Sequence, residues 1–288
     1  MKIEELPEEL QNIYHAYVMR VDSNINIDSV ILSDDNKNKL NGFLEEVRYK
    51  DKFATLGLSY INRLLFYGAS GTGKTFLTKA LSNHLGYHML YIDIQKALTQ
   101  GNPAGAISDM FKLANALGNC ILFLDECDAI SWDRSETDSS DSTMRRANNA
   151  LFQQLDQMNP ACVFVSATNL YDHIDPAFKR RFNLEFKFDR PDLTKIEESI
   201  NSMIVKSYFN TIDDMNPYIK DLIIEQARNW TALSYDGVRT WVERAEKKTI
   251  MEDSKDLRMS LIWDYFMLDM NLAVDTANNG QVYLYKKG

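Results

Sequence analysis

"GASGTGKT", residues 68–75, decides how this 288-residue chain folds. It fits G-x-x-x-x-G-K-[ST] in full, with Gly68, Gly73, Lys74 and Thr75 at the defining positions. The apolar run "RLLFYG" (63–68) leads into it and a helical pattern over 74–85 follows. A strand, a glycine-rich turn and a helix in that order make a phosphate cradle. Gly68, Gly71 and Gly73 permit backbone angles that turn N–H groups toward phosphate oxygens. The helix start adds its positive dipole end. Ala69, Ser70, Thr72 and Phe76 complete the segment that wraps the phosphates. Lys74 is placed for the β- and γ-phosphates of ATP, and Thr75 for Mg²⁺.

Outward from the cradle the texture repeats. "HMLYIDI" (88–94), "CILFLDE" (120–126) and "CVFVSAT" (162–168) are short apolar runs rich in β-branched and aromatic residues, as expected of strands buried on both faces. Helical patterns separate them at 74–85, 103–117 and 143–158, and "NLEFKFD" (183–189) can add a last strand. Strands alternating with helices predict right-handed βαβ units and a parallel sheet, an α/β class. In such sheets ligands sit beyond the carboxyl ends of the strands. Asp125 and Glu126 stand at one such end, Asp125 to hold Mg²⁺ and Glu126 to polarise an attacking water. Asn169 follows another and is placed for the γ-phosphate or that water.

After Pro191 the buried-strand runs cease. Residues 192–208, 217–229, 235–251 and 255–270 are expected as helices, and "QVYLYKKG" as a small terminal strand. Val238, Trp241, Val242 and Ala245 form an apolar stripe at helical spacing. The organisation is therefore an arm over 1–30, an α/β core over 31–190, and a helical lid with a C-terminal extension over 191–288. Within the arm, Leu6, Leu10, Ile13, Tyr14 and Tyr17 predict an amphipathic helix that packs on the chain's own core.

Bulk properties narrow the function. Hydrophobic residues make up 45%, enough to bury a core, and the net charge of −9 disfavours a broad nucleic-acid surface. Cys120, Cys127 and Cys162 lie in apolar runs without CxxC spacing, as expected of reduced thiols in the cytoplasm. The acidic start is no signal peptide and no run of about 18 apolar residues occurs, so no membrane span is expected. His84 and His88 lack further ligands for a metal.

Taken together these motifs resemble the AAA ATPases of the AAA+ superfamily, from about Val30 to Ala245. "DECDAI" is similar to the second nucleotide motif, and "SATNLYDHIDPAFKRRF" (166–182) to the second region of homology. The resemblance implies a P-loop αβα sandwich followed by a helical lid, with ATP hydrolysis in an oligomer, a hexameric ring. It makes Arg180 and Arg181 arginine fingers that reach the neighbouring copy's ATP. A guanidinium supplied in this way is worth about 10³–10⁵ in rate in related enzymes. It makes Arg239, at the start of the third lid helix, a candidate nucleotide contact. It also implies a protein client, gripped by a pore loop at Leu98, Thr99, Gln100 and Gly101. The family's aromatic is missing there, and "LTQGNPAG" is closer to rubisco-activase-like proteins. A second pore loop would span 134–143, with the acids Asp133, Glu136, Asp138 and Asp141 in and beside it. The expected function is remodelling of a protein client. A DNA-transaction ATPase of clamp-loader or initiator type is the alternative, disfavoured by the acidic charge. A scaffold ring with little turnover is disfavoured by the complete set of Lys74, Asp125, Glu126 and Asn169.

Overall fold

A computed structural model describes residues 3–17, 25–92, 97, 99, 101–130, 142–205, 207–214, 233–269, 272–276 and 282–286. The chain forms two units: Met1–Ala69 with Gly73–Phe188, and Ser70–Thr72 with Asp189–Gly288.

The first unit is built on five strands: β1 (Arg63–Gly68), β2 (His88–Ile92), β3 (Cys120–Leu124), β4 (Val163–Thr168) and β5 (Leu184–Phe188). They run in the order β2-β3-β4-β1-β5, and every neighbouring pair is parallel. The alternation of side chains along a strand sorts the apolar residues to two faces. On one face Leu65, Leu90, Leu122, Leu124 and Phe164 meet α1 (Glu8–Tyr17), α5 (Pro103–Leu117) and α6 (Ser142–Asp156). On the other, Leu64, Phe66, Ile121, Phe123, Val163 and Val165 meet α2 (Asp34–Arg48) and α4 (Lys74–Leu85). A short helix α3 (Lys50–Thr55) follows α2, and another, α7 (Pro176–Lys179), precedes β5. This is a parallel αβα sandwich of phosphate-loop type.

Local chemistry sets the helix starts. Ser33 Oγ accepts from the Asn36 N–H at the head of α2, and Asn102 accepts from the Gly105 N–H ahead of Pro103 in α5. Asp175 accepts from the Ala177 N–H at the head of α7, where Pro176 fits the first turn. In the arm, Leu6, Leu10 and Tyr14 are buried in the core and Ile13 packs against it. Lys112 of α5 pairs with Glu9 at 2.7 Å. The side chain of Tyr17 lies outside the described residues.

The second unit holds α8 (Leu193–Ile204), β6 (Asn210–Ile212), α9 (Tyr235–Met251), β7 (Asp256–Arg258), α10 (Met259–Asp269), β8 (Leu272–Thr276) and β9 (Val282–Lys286). Its core gathers Ile196 and Ile200 of α8, the predicted stripe of α9, and Ile262, Trp263 and Phe266 of α10. Trp241 Nε1 donates to Asp269 Oδ2 at 2.7 Å, which satisfies its one polar atom.

Two sequence expectations are corrected here. The helix over 192–208 ends at Ile204, and the chain turns into β6. The helix over 255–270 begins only at Met259, because Asp256–Arg258 pairs in parallel with Asn210–Ile212. The expected terminal strand does form, as β9, and it pairs antiparallel with β8. The helix over 217–229 lies outside the described residues. Among the described residues no helix is long and apolar enough to cross a membrane.

Candidate active site

The turn between β1 and α4 sets the geometry. Gly68 has φ +142° and Gly73 has φ +104°, values that strain any L side chain. At Gly68 a Cβ would stand 2.0 Å from the Phe188 carbonyl oxygen, so the strand β5 passes too close for anything larger. Gly73 precedes α4 without a side-chain cap, which leaves the first N–H groups of that helix turned outward. Gly71, with φ +72°, and its neighbours Ser70 and Thr72 belong to the second unit. Ala69 is half-buried and Phe76 is exposed.

Lys74 is the centre of the site. Its side chain is buried, and the ammonium donates to the carbonyl oxygens of Gly68 and Ala69, each at 2.8 Å, and to Asn169 Oδ1 at 2.7 Å. Three N–H donors and three acceptors leave none unmatched. Burial pushes its pKa below the ordinary lysine value, and the Asp125 and Asp128 carboxylates oppose that shift. These three acceptors hold the cation where phosphate oxygens would take their place.

Thr75 Oγ1 donates to Asp125 Oδ2 at 3.2 Å. A hydroxyl and a carboxylate so close are hard oxygen donors, the chemistry Mg²⁺ prefers, and they fit that ion. Glu126, next in the chain, is exposed and has φ +50°, a left-handed conformation costly for a residue with a Cβ. Its N–H donates to Asp125 Oδ1 at 3.0 Å.

Two residues that the sequence reading gave no role support this constellation. Thr168 Oγ1 donates to Asp128 Oδ1 at 2.7 Å and accepts from the Leu170 N–H at 2.9 Å. That double contact pins the chain around Asn169 at the end of β4. The only sequence signal was a polar residue closing an apolar strand.

The two arginines differ. Arg181 Nη1 donates to the Ala177 carbonyl at 2.8 Å, its Nε and Nη2 lie 3.3 and 3.4 Å from the Asp156 carboxylate, and its guanidinium sits 4.2 Å from the centre of the Phe152 ring. Arg180 is exposed and has no side-chain hydrogen bond or ion pair among the described residues. Arg239 in the second unit donates to Asp236 Oδ1 at 2.7 Å and lies 3.7 Å from Glu243. In the expected pore loop Thr99 and Gly101 are exposed, whereas Leu98 and Gln100 lie outside the described residues. The second loop over 134–143 falls mostly outside them too.

A parallel αβα sheet with a lysine-bearing phosphate turn after β1 and an acid pair at the end of β3 defines a phosphate-loop nucleoside triphosphatase. Residues 64–190 match the ATPase family associated with various cellular activities (AAA). An uncharacterized AAA family ATPase of Sinorhizobium fredii, y4kL, is 32% identical over 248 residues, covering 84% of this chain and 70% of that protein. A putative 26S proteasome regulatory subunit homolog of Methanothermobacter thermautotrophicus is 28% identical over 244 residues, 83% of this chain and 62% of that one. The ATP-dependent zinc metalloprotease YME1L of Drosophila melanogaster is 28% identical over 257 residues, covering 82% of this chain and 34% of that protein. The chain belongs to the AAA ATPases, and its activity is ATP hydrolysis.

Proposed function

We propose that this ATPase works as a ring of identical copies, by family resemblance a hexamer, in which hydrolysis drives remodelling, disassembly or partial unfolding of a protein client. In each site Lys74 exchanges its two carbonyl partners and Asn169 for the β- and γ-phosphate oxygens of ATP. Glu126 polarises the attacking water, and Asn169, released from Lys74, orients it. Mg²⁺, held by Thr75 and Asp125, would neutralise charge on the phosphates. Arg180 extends to the neighbouring copy and stabilises charge that gathers on the γ-phosphate there.

The observation that carries this reading is the contrast between Arg180 and Arg181. A cation without a side-chain partner among the described residues, at the end of an anchored segment, suits a role outside its own chain. Protein clients are favoured by relatives named for proteasome regulation and for ATP-dependent zinc metalloproteolysis. Three buried cysteines, none of them in a disulfide among the described residues, suit the cytoplasm.

The test mixes two inactive proteins. Lys74→Ala lacks its own nucleotide site but offers Arg180, whereas Arg180→Ala keeps a site and offers no finger. Activity recovered at shared seams supports the ring, and none despite proven co-assembly counts against it. Stimulation of turnover by an unfolded protein supports the client class, and stimulation by DNA alone overturns it.

A further inference from the structure

Tyr171 joins three segments that the chemistry needs together. Its ring stacks on that of Tyr67, with centroids 4.0 Å apart and planes 26° apart. The Lys179 ammonium lies 4.0 Å from the centre of the Tyr171 ring. Two groups at that distance cannot share one face, so the ring is sandwiched between them. The Tyr171 hydroxyl donates to Glu185 Oε2 on β5 at 2.7 Å.

The chain positions of these residues matter. Tyr67 precedes Gly68, the first glycine of the phosphate turn, and is paired in register with Thr168 at the end of β4. Tyr171 follows Asn169 by two positions. Lys179 is the residue before Arg180, at the end of the four-residue helix α7. A helix that short has little rigidity of its own. Arg181 holds its far side to α6 through Phe152 and Asp156. Its near side is held by the Lys179 contact with the ring. A cation over an aromatic face is worth about 0.5–2 kcal/mol, and an aromatic pair about 0.5–1.5 beyond its burial. Those energies suffice to select one placement of a short segment.

We infer that Tyr171 is a positioning residue that fixes the Lys179–Arg181 segment relative to the chain's own phosphate turn, so that Arg180 is offered to the neighbour in one placement. This inference rests on the proposed trans role of Arg180. It ties two parts of one copy: Tyr67, which leads into the phosphate turn, and Lys179, which leads into Arg180, meet at one ring.

The mixed-protein assay separates this role from a general loss of structure. Tyr171→Ala is placed either on the Lys74→Ala copy, which only donates arginine, or on the Arg180→Ala copy, which only holds nucleotide. Misplacing a catalytic group by about 1 Å costs on the order of a hundredfold. Seam turnover is therefore expected to be at least tenfold lower with Tyr171→Ala on the arginine donor than with it on the nucleotide holder. Tyr171→Phe keeps the sandwich and loses only the Glu185 bond, so on the donor it should restore turnover to within about threefold of Tyr171. Lys179→Arg should do likewise and Lys179→Ala should copy Tyr171→Ala. Equal losses on either copy, or a Phe variant as impaired as the Ala variant, overturn the inference. If the parent mixture without Tyr171 substitutions is itself inactive, the trans reading of Arg180 fails first and carries the inference down with it.

Discussion

The Lys74 ammonium and the Asn169 side-chain oxygen lie 2.7 Å apart, so the phosphate turn and the end of β4 are in direct contact. The same amide is proposed to face the γ-phosphate or the attacking water. Asn169→Ala removes one of three acceptors from Lys74, and the two backbone carbonyls remain. ADP affinity should stay within about threefold, whereas turnover should fall by about 10²-fold, the loss expected for one positioned polar group at a reacting centre. Calorimetric titration with ADP and a phosphate-release assay report the two quantities separately.

Lys74 also sets a pH dependence. Burial lowers its pKa from the ordinary 10.5, with Asp125 and Asp128 resisting. A bound polyphosphate favours the ammonium, so the affinity for ADP should fall as pH rises through the lowered value, before 10.5 is reached. Over that window each binding event should take up a proton, detectable by calorimetry in buffers of differing ionisation enthalpy. Constant affinity up to pH 10.5 would contradict the burial effect.

Glu126 stores strain, because φ +50° suits glycine better than glutamate. Glu126→Gly should raise stability by about 0.5–1 kcal/mol while removing turnover. Glu126→Gln should bind ATP and fail to hydrolyse it. Chemical denaturation and a filter-binding assay with labelled ATP test these two outcomes.

Arg180 and Arg181 should separate when stability and turnover are both measured. Arg181→Ala removes the contact over Phe152 and should cost about 1 kcal/mol. Arg180→Ala should leave stability within about 0.5 kcal/mol, as surface substitutions do. Its turnover should nevertheless drop by a hundredfold or more, a loss of about 3 kcal/mol of transition-state stabilisation. Denaturant titration of each variant beside its ATPase rate decides this.

What was legible beforehand divides by range. "RLLFYGASGTGKT" announces strand, turn and helix because each needs only its own residues, and the acids at the end of β3 follow from the same logic. The pair β6 and β7 gives no such signal. Each is three residues long, too short for a period, and Asn210 meets Asp256 across 46 residues of sequence. The contacts of Thr168 with Asp128 and of Tyr171 with Tyr67 are likewise made between distant segments. Two adjacent arginines look equivalent in the sequence, and the Ala177 carbonyl together with Phe152 and Asp156 of α6 tells them apart.

The burial of Leu6, Leu10 and Tyr14 against α5, together with that of Leu40, Phe43 and Val47 of α2 on the opposite face, bears on how the catalytic fragment can be handled. The family match begins at Leu64, downstream of both sets. Cutting the chain there would unroof the sheet on each side and bare a greasy surface to water. A fragment trimmed to the match would come out of expression as aggregate, so the leading sixty residues are walls of the house and not its porch.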